Sequence, residues 1–137
     1  MKKFIFSVLC LFVFAQAKSD CNNPIYSSTY SRWEMRCDLL RQYGTGVDTQ
    51  NGWNYYYVTE DLAFSIESYI YDVASDGSAQ VYAGVNSTTS PNYFFEHTAD
   101  GSSSYSWKYG YGYAPTGSTV WVDAYTQKAG VQFLMYW

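Results

Sequence analysis

The stretch that decides the fold is residues 62–71, LAFSIESYIY, because its side chains alternate between apolar and more polar with a period of two. This period is typical of a β-strand that buries one face. Tyr69 and Tyr71 lie on the more polar face, so we expect their rings to point away from the core. The apolar face, which we expect to form part of the core, consists of Leu62, Phe64, Ile66 and Ile70.

Strand-like segments continue on both sides of this stretch, separated by turn signals such as Asp76-Gly77. Short strands at even spacing are typical of an antiparallel sandwich rather than a βαβ fold. The sequence therefore predicts a mainly β fold, an antiparallel β-sandwich or jelly roll of about seven strands. The predicted strands are Trp53 to Thr59, residues 62–71, residues 79–85, Tyr93 to His97, Tyr105 to Tyr113, Val120 to Tyr125 and Val131 to Trp137.

The region before these strands predicts one short N-terminal α-helix, from Arg32 to Tyr43. Ser31 and Glu34 have the spacing of a capping box, in which each side chain bonds a free backbone N–H at the helix start. Gly44 is placed to end the helix. Side chains at helical spacing give it one face that would dock on the sheet. They are Tyr30, Trp33, Cys37 and Leu40.

Residues 1–17 have the layout of a secretory signal peptide. Two lysines precede an apolar run from Phe4 to Phe14, and small residues flank Gln16. The apolar run is too short to cross a membrane. We therefore expect cleavage after Ala17 and a single secreted, extracellular domain at residues 18–137.

Two cysteines, Cys21 and Cys37, remain when Cys10 is lost with the signal, and we expect them to form a disulfide. The alternatives are two free thiols or half a metal site, but a metal site needs more cysteines or histidines nearby. We predict no metal site and no cofactor. The bond would tie the N-terminal arm to the predicted helix, so residues 18–44 would form a disulfide-linked arm and helix ahead of strands at residues 53–137.

The composition and the motifs argue against several functions. Aromatic residues make up 21% of the chain, including 16 tyrosines, and the formal net charge is −4. An acidic chain lacks the basic surface that nucleic acid needs, so we expect no nucleic-acid partner. The single histidine, His97, adjoins Glu96, and strand neighbours point to opposite faces, so Glu96 cannot orient it for catalysis. Common catalytic motifs are absent from the sequence, so we expect that the protein is not an enzyme. One alternative is a glycosidase with a pair of carboxylates, because such a pair is defined by its separation in space and not by a motif.

Aromatic rings form two candidate binding surfaces. The first is one face of the predicted strand 105–113, whose rings either fill the core or form a platform on which sugars stack. The second lies opposite aliphatic rows, so its rings point outward unless the helix or residues 45–60 cover them. The first surface consists of Tyr105, Trp107, Tyr109, Tyr111 and Tyr113, and the second of Tyr69, Tyr71, Tyr82, Trp121 and Tyr125.

Asn86-Ser87-Thr88 is a glycosylation sequon at the end of a predicted strand. In a secreted eukaryotic protein we expect Asn86 to carry a glycan. In a bacterial protein the motif has no such meaning.

A family resemblance rests on Asp76 to Tyr82, the turn from Thr88 to Pro91, Gly117, and the strand Val120 to Tyr125. In this arrangement residues 62–137 resemble the small secreted β-sandwich modules called bacterial pre-peptidase C-terminal domains. The resemblance implies a secreted sandwich and names no activity. Those modules usually carry an acidic residue where this chain has Gln80, so no family-type calcium site is expected.

These observations favour a secreted, non-catalytic protein that binds glycan or a cell-surface partner through its aromatic surface. A second hypothesis is an effector or toxin at membranes, because tyrosine and tryptophan suit the bilayer interface, although an acidic chain is repelled by anionic lipid. A third is an extracellular structural protein whose tyrosines become cross-linked.

Overall fold

The computed structural model describes residues 21–86, 93–101 and 105–137. Within these residues the chain forms two antiparallel sheets packed face to face, as in a β-sandwich, and contains no helix. The predicted mainly β fold is therefore confirmed, with more strands than expected. The strands are β1 (Ile25–Ser27), β2 (Arg32–Leu39), β3 (Thr49–Tyr57), β4 (Leu62–Tyr71), β5 (Ser78–Val85), β6 (Tyr93–Asp100), β7 (Tyr105–Ala114), β8 (Thr119–Gln127) and β9 (Gly130–Tyr136).

The two sheets are interleaved along the chain. One sheet has five strands in the order β1-β2-β9-β4-β7, and the other has four in the order β3-β8-β5-β6. Two pairs of consecutive strands, β1–β2 and β5–β6, are neighbours in the same sheet. Each remaining connection between consecutive strands crosses from one sheet to the other. This arrangement brings β4 and β7 side by side, although about thirty residues, which include β5 and β6 of the other sheet, separate them in sequence.

The core lies between the sheets and is built largely from the rows that alternation predicts. In β4 the inward row includes Ser68 as well as the apolar residues. The inward row of β7 is small, because Gly110 and Gly112 lie against the rings of Phe95 and Phe64. Fully buried side chains of the core include Met35, Leu39, Ile66, Ile70, Val81, Val122, Val131 and Phe133.

The predicted helix from Arg32 to Tyr43 is wrong, because this segment begins with strand β2 and continues as irregular chain. Ser31, the expected cap, instead lies in the β1–β2 turn with a positive φ of 50°. β2 pairs with β1 on one side and β9 on the other, which satisfies its backbone. An isolated helix of this length is marginal in water, so pairing on both sides prevails. The inward row is Met35, Cys37 and Leu39, and the outward row is Glu34, Arg36 and Asp38.

The predicted disulfide is confirmed, since Cys21 and Cys37 are bonded. The bond fastens the segment ahead of β1 to strand β2 rather than to a helix, and the two cysteines also form an isolated β-bridge. Asn22 extends this contact, because its backbone N–H donates to the carbonyl of Arg36 at 3.0 Å. The disulfide lies against Gly52 of β3, where a Cβ would be 2.6 Å from the Cys21 sulfur.

The predicted signal peptide at residues 1–17 lies outside the described residues. Among the residues that are described, no helix is long and apolar enough to cross a membrane.

Candidate functional site: an aromatic sheet face

The rings of β7 point to solvent. All five, from Tyr105 to Tyr113, expose between 55% and 80% of their surface. The interpretation that they fill the core is therefore wrong. The physical reason lies on the other side of the strand, where Gly110 and Gly112 leave room for the core rings of Phe95 and Phe64.

Strand β4 adds two half-buried rings to this row. The β4–β7 register places Tyr71 opposite Tyr105 and Tyr69 opposite Trp107. We call the combined surface the aromatic face. It consists of Tyr69, Tyr71, Tyr105, Trp107, Tyr109, Tyr111 and Tyr113, all on the outer side of the five-stranded sheet.

Four rings of the aromatic face, Tyr71, Tyr69, Trp107 and Tyr109, are stacked in a row. Tyr69 and Trp107 are nearly parallel, with centroids 4.1 Å apart, and Tyr71 continues the stack 5.4 Å from Tyr69. On the other side Trp107 and Tyr109 are also parallel, but 6.5 Å apart. The close stack covers ring surface of Tyr69 and Trp107, whereas Tyr109 and Tyr111 expose 64% and 80% of their surface. The open ring surface of the aromatic face therefore lies at Tyr109 and Tyr111.

A shallow depression adjoins the stacked rings of Tyr69 and Trp107. Its volume is about 210 Å³. Most of its other lining side chains are polar or charged and come from β2, β4 and β9. These are Arg36, Asp38, Glu67 and Gln132, with Phe133 and Leu134 completing the lining.

Charged side chains at and beside the depression hold one another in place. Buried Glu34 accepts from Arg32 at 3.0 Å and from Arg36 at 2.7 Å. Burial acts to raise the pKa of the Glu34 carboxyl, but the hydrogen bonds and charges of Arg36 and Arg32 outweigh it and lower the pKa. Arg32 also lies over the Tyr136 ring at 3.8 Å, and the Tyr136 hydroxyl donates to Glu67 at 3.3 Å. Two polar residues that line the depression, Arg36 and Glu67, are therefore held in place by neighbours in the sheet.

The second predicted surface is divided between opposite sides of the sandwich. Tyr69 and Tyr71 belong to the aromatic face, whereas Tyr82 and Tyr125 lie on the outer side of the four-stranded sheet. Trp121 has an outward register on that sheet, but only 2% of its surface is exposed. The expectation that its ring points to solvent is therefore wrong.

Sequence reasoning missed a row of rings on β3. Trp53, Tyr55 and Tyr57 expose between 53% and 58% of their surface on the outer side of the four-stranded sheet. Their spacing of two was a usable signal, since alternate residues of a strand share a face. The polar residues of the depression had no such signal, because β2, β4 and β9 meet only through long-range pairing.

His97 is buried and contacts residues of the facing sheet. Its Nδ1 lies 2.8 Å from the Ser68 hydroxyl, and its Nε2 lies 2.6 Å from the Ser106 hydroxyl. Burial, with a smaller contribution from the charge of Lys108, lowers the pKa of His97 to about 4. Glu96 is exposed on the opposite side of β6. The pairing with two serine hydroxyls in the interior holds β6 of one sheet against β4 and β7 of the other.

Asn86 lies at the exposed end of β5, with a positive φ of 64°. Its side-chain oxygen accepts from the backbone N–H of Thr119 at 3.0 Å. Glycosylation of Asn86 stays a prediction. In the described part of the chain, no group of three or more His, Cys, Asp or Glu residues is placed to hold a metal ion.

Comparisons with known proteins identify no family. No family model and no curated protein matches the chain. The resemblance to pre-peptidase C-terminal domains therefore stays a prediction. A solved structure described as "CBM4 structure and function" aligns with 86% of this chain and 73% of its own chain, at 9% identity and a TM-score of 0.27.

Proposed function

We propose that this chain is a secreted, non-catalytic protein that binds glycan through the aromatic face, including glycan on a cell-surface partner. The observation that supports this most directly is a row of exposed rings next to a depression lined mostly by polar groups. Contiguous exposed aromatic patches of this kind mark binding sites. The disulfide supports secretion, because such bonds persist in oxidising compartments.

The two parts of the face suit the two sides of a sugar. Sugar rings have apolar C–H surfaces that pack on the open rings of Tyr109 and Tyr111, and hydroxyl groups that need hydrogen-bond partners. Glu67 and Gln132 supply acceptors and donors at the depression. Its volume of about 210 Å³ is below the roughly 300–1,000 Å³ of pockets for drug-sized ligands, so it suits one sugar unit of a longer chain.

The charge of the face favours a neutral glycan. Arg32 and Arg36 share the single carboxylate of Glu34. Asp38 and Glu67 line the depression beside Arg36, so two cations stand among three acids and no positive excess remains. Glu67 retains a carboxylate that accepts from hydroxyl groups and repels anions. Recognition would then rest on ring packing and hydrogen bonds to hydroxyls rather than on ion pairs.

The proposal is tested by a screen of immobilised neutral oligosaccharides, followed by titration calorimetry of the ligands found. Tyr109→Ala should weaken binding about fivefold to tenfold, since loss of a ring contact costs ~1 kcal/mol. Glu67→Gln should weaken binding as well, because it changes an acceptor at the depression.

The matched control is Tyr57→Ala, which removes a similarly exposed ring from the opposite side of the sandwich. It should leave glycan affinity unchanged. Equal losses in Tyr57→Ala and Tyr109→Ala would contradict the proposed site. Leakage of neutral or anionic vesicles without binding to any oligosaccharide would contradict the proposed function and favour the membrane hypothesis.

A further inference from the structure

The outer side of the four-stranded sheet differs in chemistry from the aromatic face. Among the described residues, its outward positions on β3, β8, β5 and β6 include acids and aromatic rings but neither lysine nor arginine. We call this surface the acidic aromatic face. Its rings are Trp53, Tyr55, Tyr57, Tyr82 and Tyr125, and its acids are Glu96, Asp100 and Asp123.

One cross-strand row places a carboxylate between two rings. The register sets Trp53 opposite Asp123, Asp123 opposite Tyr82, and Tyr82 opposite Glu96. Directly opposed side chains have Cβ atoms about 5 Å apart, so the Asp123 carboxylate has a ring on each side. Desolvation at this position raises the pKa of the Asp123 carboxyl. A cation placed there would gain from the carboxylate and from both rings.

Lys108 approaches this sheet from β7 but does not serve as that cation. Its ammonium donates to the backbone carbonyl of Glu96 at 2.6 Å and lies 5.7 Å from the centroid of Phe95. Phe95 belongs to the core, on the inner side of β6. The charge of Lys108 is therefore directed to the inner side of the strand, and the outer side stays acidic.

We propose that the acidic aromatic face binds the lysine and arginine side chains of an extended basic segment of a partner protein. Aromatic faces attract ammonium and guanidinium groups through the ring quadrupole, and carboxylates pair with them. The formal net charge of −4 on the chain favours such a partner over an acidic one. This interaction is independent of glycan binding, because the two faces lie on opposite sides of the sandwich.

The row on β3 explains why the partner segment is extended. Trp53, Tyr55 and Tyr57 are alternate residues of one strand, so their backbone positions repeat about every 6.8 Å. The rings of Trp53 and Tyr55 tilt toward each other, with centroids 5.3 Å apart. Alternate side chains of an extended peptide repeat at the same interval. A segment with a basic residue at every second position would therefore place successive cations along this row of rings and reach Asp123 beside it.

The test uses the whole protein and a fluorescent synthetic peptide of alternating lysine and serine, with an alternating glutamate and serine peptide for comparison. Fluorescence anisotropy should show binding of the lysine peptide only, and the affinity should fall as salt is raised. Asp123→Asn should weaken binding about tenfold, and Trp53→Ala about fivefold. Both residues are exposed, and Asp123→Asn keeps the side-chain shape, so folding is preserved.

Tyr109→Ala, on the aromatic face, is the matched control and should bind the peptide as the unaltered protein does. Absence of lysine-peptide binding, or unchanged affinity in Asp123→Asn, would overturn the proposal. Binding of phosphocholine in place of the lysine peptide would overturn the assignment to a protein partner. Loss of glycan binding in Tyr109→Ala, with peptide binding intact, would show that the two faces act separately.

Discussion

Strands β2 and β7 lie in the same sheet and divide their side chains between core and solvent in opposite ways. β2 turns Met35 and Leu39 inward and charged residues outward. β7 turns glycines inward and its large rings outward. The facing sheet explains the difference, since it fills the space beneath β7 with Phe95, while Phe64 reaches the same space from β4. The hydrophobicity of a strand's own residues therefore does not decide which face is buried.

The largest expected effect concerns the attachment of β2. Reduction of the Cys21–Cys37 bond should lower the free energy of unfolding by about 3 kcal/mol, because the unfolded chain regains the freedom of a loop of about sixteen residues. Urea titrations with and without reductant measure the change, with a thiol count under denaturing conditions. Two free thiols before reduction, or an unchanged midpoint after it, would contradict the structure of this region.

The inward side of β7 is tested by Gly112→Ala. A Cβ at this position would overlap the Phe64 ring, which is buried. We expect a loss of about 2 to 3 kcal/mol, as in other overpacked cores. Chemical denaturation of the variant and the unaltered protein measures this loss. Gly44→Ala is not a suitable control, because Gly44 has a positive φ of 66°. Unchanged stability would mean that β7 has room on its inner side and that its rings are not forced outward.

The burial of side chains in β2 and β7 can be predicted from sequence only where neighbouring residues decide it, and not where distant strands do. In residues 32–40 two periods compete, since Trp33, Cys37 and Leu40 match a helix while Met35, Cys37 and Leu39 match a strand. Pairing with β9, nearly a hundred residues away, decides between them. For β7, alternation predicts correctly that five rings share one face. It cannot predict which face is buried, because that depends on Phe64 and Phe95.

The candidate site also has one part that the local sequence predicts and another part that depends on strand pairing. The aromatic row from Tyr105 to Tyr113 can be predicted from spacing alone. The stack of Tyr69 on Trp107 cannot, because it requires the register between β4 and β7. The depression needs three strands brought together, and nothing in their local sequence indicates that Arg36 and Gln132 are neighbours.

The contact of buried His97 with the hydroxyls of Ser68 and Ser106 predicts that the stability of the fold depends on pH. The pKa of His97 is about 4 in the fold, against about 6.5 for an unfolded histidine. Between these values the unfolded chain binds more protons, so stability should fall as the pH falls through this range. We expect a loss of about 2 kcal/mol between pH 7 and pH 5.

Denaturant midpoints across this pH range check the prediction. His97→Gln is the control, since glutamine does not titrate and its variant should show a flat profile between pH 7 and pH 5. Carboxyls of lowered pKa, such as Glu34, lose their stabilising effect only below this range. A flat profile in the unaltered protein would mean that His97 is not held neutral between the sheets.

The smallest expected effect is on the outward side of β7. Tyr111 exposes 80% of its surface, so Tyr111→Ala removes little buried area and should change the free energy of unfolding by no more than about 0.5 kcal/mol. The same variant should lose glycan affinity, because Tyr111 and Tyr109 carry the open ring surface of the aromatic face. Thermal or urea unfolding and calorimetric titration on one preparation separate the two quantities. A large loss of stability would mean that the ring serves the fold, and β7 would then resemble β2 in burying its bulkiest side chains. A small loss of stability together with weaker binding would set the two sides of β7 apart, one for packing and the other for recognition.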